Sequence, residues 1–301
     1  MNDKRTGHLV DGNRRGILLM IASMATFALA DSLVKVATTT LSPAQVMFLL
    51  FGGSLVFFTL IALLKGEKLF AQRVFAPVLL LRYVTEIIGM VGMITALALV
   101  PISTVGAITQ AAPLLAAVGA VYFLNEHIGW RRWTCIVCGF IGVLLIIKPS
   151  SAGFDISVLW AVLALVGLSV RDVTTRMTPS DIPSTSLATY TMCAVVPFSL
   201  CWVLIRGEAL VPPDTNWIVV APMIVLGAVG YLLLIASLRS TDVSVVMPFR
   251  FSRVVFLLGL GVLVFNERPD GFMLAGALII VVSGAYMMRR EAKSKAQQGD
   301  R

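Results

Sequence analysis

The sequence predicts an all-α polytopic membrane protein, with ten transmembrane helices forming two inverted five-helix repeats around a central cavity. Three observations carry that prediction. The 301 residues are 58% hydrophobic and only 13% charged, about half the charged share of a soluble domain. Ten apolar segments follow one another with only short polar breaks, and a bilayer core of about 30 Å needs about 20 such residues per helix. Finally, the two halves of the chain resemble each other at one constant register.

The spans are placed near residues 16–37, 43–64, 77–98, 101–124, 133–148, 156–176, 184–205, 217–237, 242–265 and 271–288. In the first, Arg14 and Arg15 precede an apolar run ending in Ala28, Leu29 and Ala30, an arrangement that secretory leaders share. That run continues at helix length to Ala37, so it is read as a retained helix. Pro113, Pro222 and Pro248 lie inside or near spans and are expected to kink helices around a cavity. The connections leave no room for an extramembrane domain, so any function must lie within the helix bundle. Cys135, Cys138, Cys193 and Cys201 all fall in apolar segments, where the CxxC of the first pair reads as small buried side chains rather than a redox or zinc motif. No metal and no cofactor is implied.

The net charge is +8. With a cytoplasmic N-terminus, 16 of the 24 Lys and Arg residues fall inside, 4 fall outside, and Arg82, Arg171, Arg250 and Arg253 remain within spans. This bias puts both termini in the cytoplasm by the positive-inside rule, as expected of a multi-pass protein of the cell inner membrane. The basicity is topological, and no nucleic-acid partner is needed to explain it.

The repeat joins Asn125-Glu126 to Asn266-Glu267 at an offset of 141 residues. The same offset carries Asp31 onto Asp172, Lys35 onto Arg176, Gly89 onto Gly230 and Ser103 onto Ser244. The expected units are 1–150 and 151–301. Five spans per unit is an odd number, so the second copy enters the membrane from the opposite side. Inverted repeats are characteristic of secondary transporters, in which two pseudo-equivalent halves open one central site alternately to each face.

Two five-span halves, about 300 residues, and a glutamate closing the fourth span of each half before "GFIGVLLIIKP" and "LAGALIIVVSGAY" resemble the EamA branch of the drug/metabolite transporter superfamily. The resemblance covers essentially the whole chain. It implies a small-molecule cargo in a cavity lined by the first, third, fourth, sixth, eighth and ninth spans. Members of that group include exporters of amino acids and other metabolites, riboflavin importers and, more distantly, nucleotide-sugar and triose-phosphate exchangers.

The intramembrane charges point to a site. Asp31 with Lys35, Arg82 with Glu86, and Asp172 with Arg176 are i,i+4 pairs of opposite sign, one turn apart on a helix face. The first and third pairs are equivalent under the repeat but fall at opposite mouths, so each is expected to form part of a gate. Glu86 and Arg253 fall about 12 to 18 Å into their spans at 1.5 Å per residue, near the midplane where transporters bind cargo. In "RFSRVVF", Arg250 and Arg253 share a face and align with uncharged Thr109 and Ala112. Together with Arg171 they are read as arginines unpaired on their own helices, which must face water, a carboxylate of another helix, or a ligand. Guanidinium forks suit carboxylates, phosphates or carbonyl-rich rings. Arg253, Arg250, Glu86, Arg82, Arg171, Gln110 and Tyr231 are therefore the expected cargo contacts, Tyr231 because it aligns with Met90 one turn beyond Glu86.

Riboflavin is the first expectation for cargo, since its carbonyl edge suits arginine and its rings suit aromatic stacking; an amino acid or related metabolite is the alternative. An intramembrane enzyme fits poorly, because His8 and His127 are the only histidines, both in cytoplasmic segments, and no phosphate-loop context occurs. A non-transporting scaffold leaves the buried charges and the duplication unexplained.

Overall fold

The computed structural model describes residues 3–66, 75–124, 129–148, 155–178, 182–240 and 243–299. Helices α1 (Asp3–Ala37), α2 (Pro43–Leu64), α3 (Pro77–Leu99), α4 (Ile102–Thr109), α5 (Ala112–Leu124) and α6 (Trp130–Ile147) make the first half. The second half comprises α7 (Val158–Met177), α8 (Ser184–Ile205), α9 (Trp217–Ser240), α10 (Val243–Val246), a 3₁₀ turn (Met247–Phe251), α11 (Ser252–Leu263) and α12 (Gly271–Gly299). The segment α4–α5 forms the fourth span, and α10 with the 3₁₀ turn and α11 forms the ninth.

Local chemistry sets the ends. Ser42 and Gln45 form a reciprocal capping box ahead of Pro43 at the start of α2, satisfying two amides that a helix start would otherwise orphan. Pro77 opens α3, where a missing N–H costs nothing. Gly207, at φ 68°, ends α8 in the left-handed conformation that a β-carbon disfavours. Among the described residues, seven segments are long and apolar enough to cross a bilayer, and Trp133–Ile147 and Gly271–Met287 are shorter apolar helices.

Two of the three spans expected to kink at proline are interrupted. The fourth breaks at Gln110–Ala111, and the ninth tightens into a 3₁₀ turn at 247–251. The physical cause is proline: Pro113 and Pro248 cannot donate the amide of a helical ladder and crowd the preceding turn. By contrast, Pro197 and Pro222 sit inside α8 and α9 without ending them. Helices α1 and α12 run beyond their expected spans at the chain ends, since no proline interrupts 3–15 or 289–299.

Packing follows the repeat. Helix α1 lies along α9 and its counterpart α7 lies along α3, while α2 packs on α8, α6 on α12, and α4 on α11, each across the pseudo-twofold. The register is visible in detail. A β-carbon on Gly89 would lie 3.1 Å from Leu168, and one on Gly230 would lie 3.0 Å from Phe27, and these two contacts are related by the same 141-residue shift. Ser23 Oγ donates to the Gly230 carbonyl at 2.7 Å. Against Gly89, Gly167 leaves so little room that an added β-carbon would sit 2.5 Å from the Gly89 nitrogen. This near-backbone contact is typical of small-residue helix packing in membranes.

Candidate functional site

The two helix breaks face each other inside the bundle. Gln110, buried at the C-terminus of α4, donates from Nε2 to the Arg250 carbonyl at 2.8 Å. That bond supplies a partner to backbone that the 3₁₀ turn takes out of the regular ladder. Discontinuous helices meeting in this way are how transporters place polar backbone at membrane depth, where it lines a cavity.

Around the breaks lie two charged groups. In one, Arg253 at the start of α11 donates to Asp31 Oδ2 through Nε at 3.2 Å and Nη2 at 2.5 Å. Its guanidinium also lies 5.5 Å from the centre of the Phe27 ring, one turn from Asp31 on α1. In the other, Glu86 on α3 receives Arg171 at 3.2 Å and lies 3.9 Å from Arg82. Arg171 also pairs with Asp172 at 2.7 Å. Buried Arg82 donates through Nε to Thr175 at 2.9 Å and through Nη1 to Thr191, so one guanidinium joins α3, α7 and α8. Tyr231 packs edge-on against Phe58 with ring centres 5.1 Å apart, on the α2–α9 side of the bundle.

These pairings correct several expectations. Asp31 takes Arg253 as its partner instead of Lys35, and Asp172 takes Arg171 instead of Arg176, which is exposed. Arg253 and Arg171 accordingly have carboxylate partners, whereas Arg82–Glu86 is present as expected. The reason is geometric. Sequence spacing reports which charges share a helix face, but a guanidinium offers two or more donors in a plane, and tertiary packing brings such forks within direct reach of the aspartates. Lys35 reaches instead for two carbonyls at the C-terminal end of α3, Leu97 at 3.1 Å and Val100 at 2.7 Å, where the helix dipole favours a cation.

Arg250 remains distinct. Its guanidinium contacts the Met247 sulfur at 3.9 Å, and no ion pair ties it to a carboxylate among the described residues. It lies half-buried in the 3₁₀ turn, within the electrostatic reach of Asp172. The result is a site of mixed sign with one guanidinium left over.

A second polar system lies at the face opposite the chain ends, termed the far face. There Glu267 accepts from the Ile102 amide at 2.6 Å, the Ser103 amide at 3.1 Å and the Ser103 hydroxyl at 2.5 Å. A carboxylate thus caps the N-terminus of α4 from the link between α11 and α12. A β-carbon at Gly261 would lie 2.6 Å from that carboxylate, so the glycine makes room for it. Nearby, Lys148 pairs with Asp270, bounding a cavity of about 200 Å³ that Ser103, Glu267 and Arg268 also line. Hydrogen bonds from Lys148 and from the Met273 amide hold the Asp270 carboxyl below its ordinary range. The capping box of α2 is tied across as well: Ser42 donates to Glu208, and Gln45 donates to the Ala209 carbonyl at 2.8 Å. Burial pushes the Glu208 carboxyl up, but hydrogen bonds from Ser42 and Arg206 prevail and hold it low.

Sequence reasoning used Glu267 and Ser103 to find the repeat and missed that they bind each other. A glutamate closing one span and a serine opening another is a signal only in hindsight. Thr175 and Thr191 carried no signal at all. The counterpart motif Asn125-Glu126 lies outside the described residues.

Comparison with known proteins agrees with this architecture. A solved crystal structure superposes with a TM-score of 0.62 at 22% identity, covering 92% of this chain and 98% of the other, which supports the fold. The chain is 26% identical over 302 residues to the S-adenosylmethionine uptake transporter of Rickettsia prowazekii, covering 99% of each. It is 29% identical to the riboflavin transporter of Vibrio cholerae over 73% of this chain and 74% of the relative. It is 25% identical to the pseudopaline exporter CntI of Pseudomonas aeruginosa, over 93% and 98%. These relatives are transporters of small molecules. The EamA-like transporter family matches twice, at residues 14–148 and 155–289, and the chain belongs to that family.

Proposed function

We propose that this protein is a secondary, non-enzymatic transporter of a zwitterionic, amino-acid-derived metabolite. Its cargo is of the S-adenosylmethionine type, in which a heteroaromatic base is joined to an amino-carboxylate. The observation that carries this reading is Arg250, a guanidinium without an ion-pair partner among the described residues, beside a group of otherwise compensated charges. It receives the cargo carboxylate, while Glu86 and Asp172, each already sharing an arginine, set the negative field that a cationic end of the cargo meets. Arg253 on Phe27, Tyr231, Arg82, Arg171 and Gln110 shape the remaining wall. A cargo carrying both signs fits this balance better than a purely anionic one. The full-length similarity to S-adenosylmethionine uptake transporters supports the same class.

Riboflavin is the second reading, favoured by the riboflavin transporter among the relatives and by the Arg253–Phe27 stack, which offers a flat cationic face to a heteroaromatic ring. In either case the two halves, 1–150 and 151–301, exchange access to the site by alternation. The bias of 16 inner to 4 outer basic residues supports cytoplasmic termini in the inner membrane. Glu267 with Ser103 and Lys35 holds the outer gate, and Asp172 with Arg171 and Glu86 holds the inner one. Of the other two charges first read as gates, Asp31 neutralises Arg253 on the cargo wall, and Arg176 lies exposed near the end of α7.

Uptake of labelled S-adenosylmethionine, amino acids and riboflavin into proteoliposomes tests the reading. A charge-assisted contact of about 1.5 to 3 kcal/mol corresponds to a rise in KM of roughly 10- to 100-fold for Arg250→Ala. Uptake by Arg250→Ala at wild-type KM and rate would show that Arg250 does not touch the cargo.

A further inference from the structure

Helices α6 and α12 touch where their backbones are bare. A β-carbon on Gly142 would lie 2.8 Å from the Gly276 carbonyl oxygen, and one on Gly276 would lie 2.5 Å from that of Gly142. From this crossing the two helices diverge toward the face that carries the chain ends. Between them opens a groove of about 630 Å³, within the usual range of small-molecule sites. Its walls have the same spacing on both sides, with Trp130, Thr134 and Cys138 on α6 and Leu278, Val282 and Tyr286 on α12. The lining runs eight residues along each helix, from Trp130 to Cys138 and from Tyr286 back to Leu278, roughly 12 Å against the roughly 15 Å depth of one leaflet's hydrocarbon. The groove therefore runs from the membrane interface to near the midplane, open sideways to the bilayer.

Its chemistry changes along its length. The deep part is mainly apolar, with Cys138, Leu278, Ile279 and Val282. At the shallow end, exposed Trp130 and Tyr286 are the residue types that settle at headgroup level. Arg131 lies there too, its guanidinium held 5.2 Å from the centre of the Trp130 ring. We propose that this groove is a specific site for one anionic phospholipid, with an acyl chain along α6 and α12 and its phosphate on Arg131. A phosphate matches the planar fork of an arginine, and the groove's length and lateral opening match a single chain. The floor gives the site a consequence for transport. Leu114 of α5 fills the space beside Gly139, and Phe251 of the 3₁₀ turn fills that beside Gly284. A bound chain thus braces, from outside, the two segments that flank the helix breaks.

The test uses the full-length protein in detergent doped with equal phosphatidylglycerol and phosphatidylcholine, examined by native mass spectrometry. One retained phosphatidylglycerol is expected. Arg131→Ala should reduce the preference over phosphatidylcholine by about fivefold, the share of one interfacial cation, and Val282→Trp should displace the lipid of either kind. Since Val282→Trp could misfold, a photoactivatable phosphatidylglycerol analogue is mapped on the unmodified protein, with cross-links expected in 130–138 and 278–286. Retention indifferent to headgroup and to Arg131 overturns the proposal. So do cross-links spread evenly over all lipid-facing helices, or a dimer joined through α6 and α12 that excludes the lipid.

Discussion

Removing the Glu267 carboxylate is expected to open the far face. In the structure that carboxylate receives two backbone amides and one hydroxyl, at 2.6, 3.1 and 2.5 Å, all from the first turn of α4. Replacing a side-chain cap by alanine costs about 1 to 2 kcal/mol, and a buried amide left without a partner adds about 1 to 3 kcal/mol. These contributions overlap, so about 2 to 4 kcal/mol is the reasonable sum. The contact exists only while α4 and the α11–α12 link are together, so its loss acts wholly on the closed state. At tenfold per 1.4 kcal/mol, the closed-to-open ratio falls roughly 30- to 700-fold. The assay is maleimide modification of Thr104→Cys in a background lacking the four native cysteines, with and without Glu267→Ala. Modification should accelerate strongly in the alanine variant and less in Glu267→Gln, which keeps an acceptor but loses the charge. Equal modification rates in all three would refute the assignment of Glu267 as a lock.

Three further outcomes follow from the geometry. Gly167→Ala should lower the melting temperature in detergent, because its β-carbon meets the Gly89 backbone and overpacking of this kind costs about 1 to 3 kcal/mol; Gly259→Ala, with nothing within 4 Å, should be neutral, and similar behaviour of the two would contradict the α3–α7 contact. Arg82→Ala should destabilise by about 3 to 5 kcal/mol as a broken buried pair, and Arg82→Lys should fail to restore thermal stability, since Thr175, Thr191 and Glu86 are met by three different nitrogens of the guanidinium and a lysine has one. The Asp270 carboxyl is held low in the folded state, so its contribution is present above the unfolded value of about 3.9 and is lost as pH falls through the lower folded value. A melting-temperature profile between pH 5 and pH 2 should show this loss, and Lys148→Gln should flatten it.

Much of the architecture was legible in the residues. Apolar runs of helix length and the shift that joins Asn125-Glu126 to Asn266-Glu267 required no coordinates. Each reports a local or periodic property, namely the solvent a segment tolerates or the copy from which it descends. The two broken spans were only half visible: Pro113 and Pro248 marked the places, but Pro197 and Pro222 are prolines too and leave their helices continuous. At the two breaks the spans are tied to each other, Gln110 donating to the Arg250 carbonyl, a contact that no local pattern announces.

The charges show the boundary most clearly. Sequence alone determined that Asp31, Glu86, Asp172 and the arginines of the spans must find partners, because hydrocarbon penalises an ion left alone. It also determined that Arg250 and Arg253 break the symmetry of the two halves. Tertiary structure alone decided the matching: Asp31 with Arg253 across 222 positions, Glu86 with Arg171 across 85, and Glu267 with the first turn of α4. The need for a partner is a property of the residue and its solvent. The identity of the partner depends on helix packing angles and side-chain reach, which no spacing along the chain encodes.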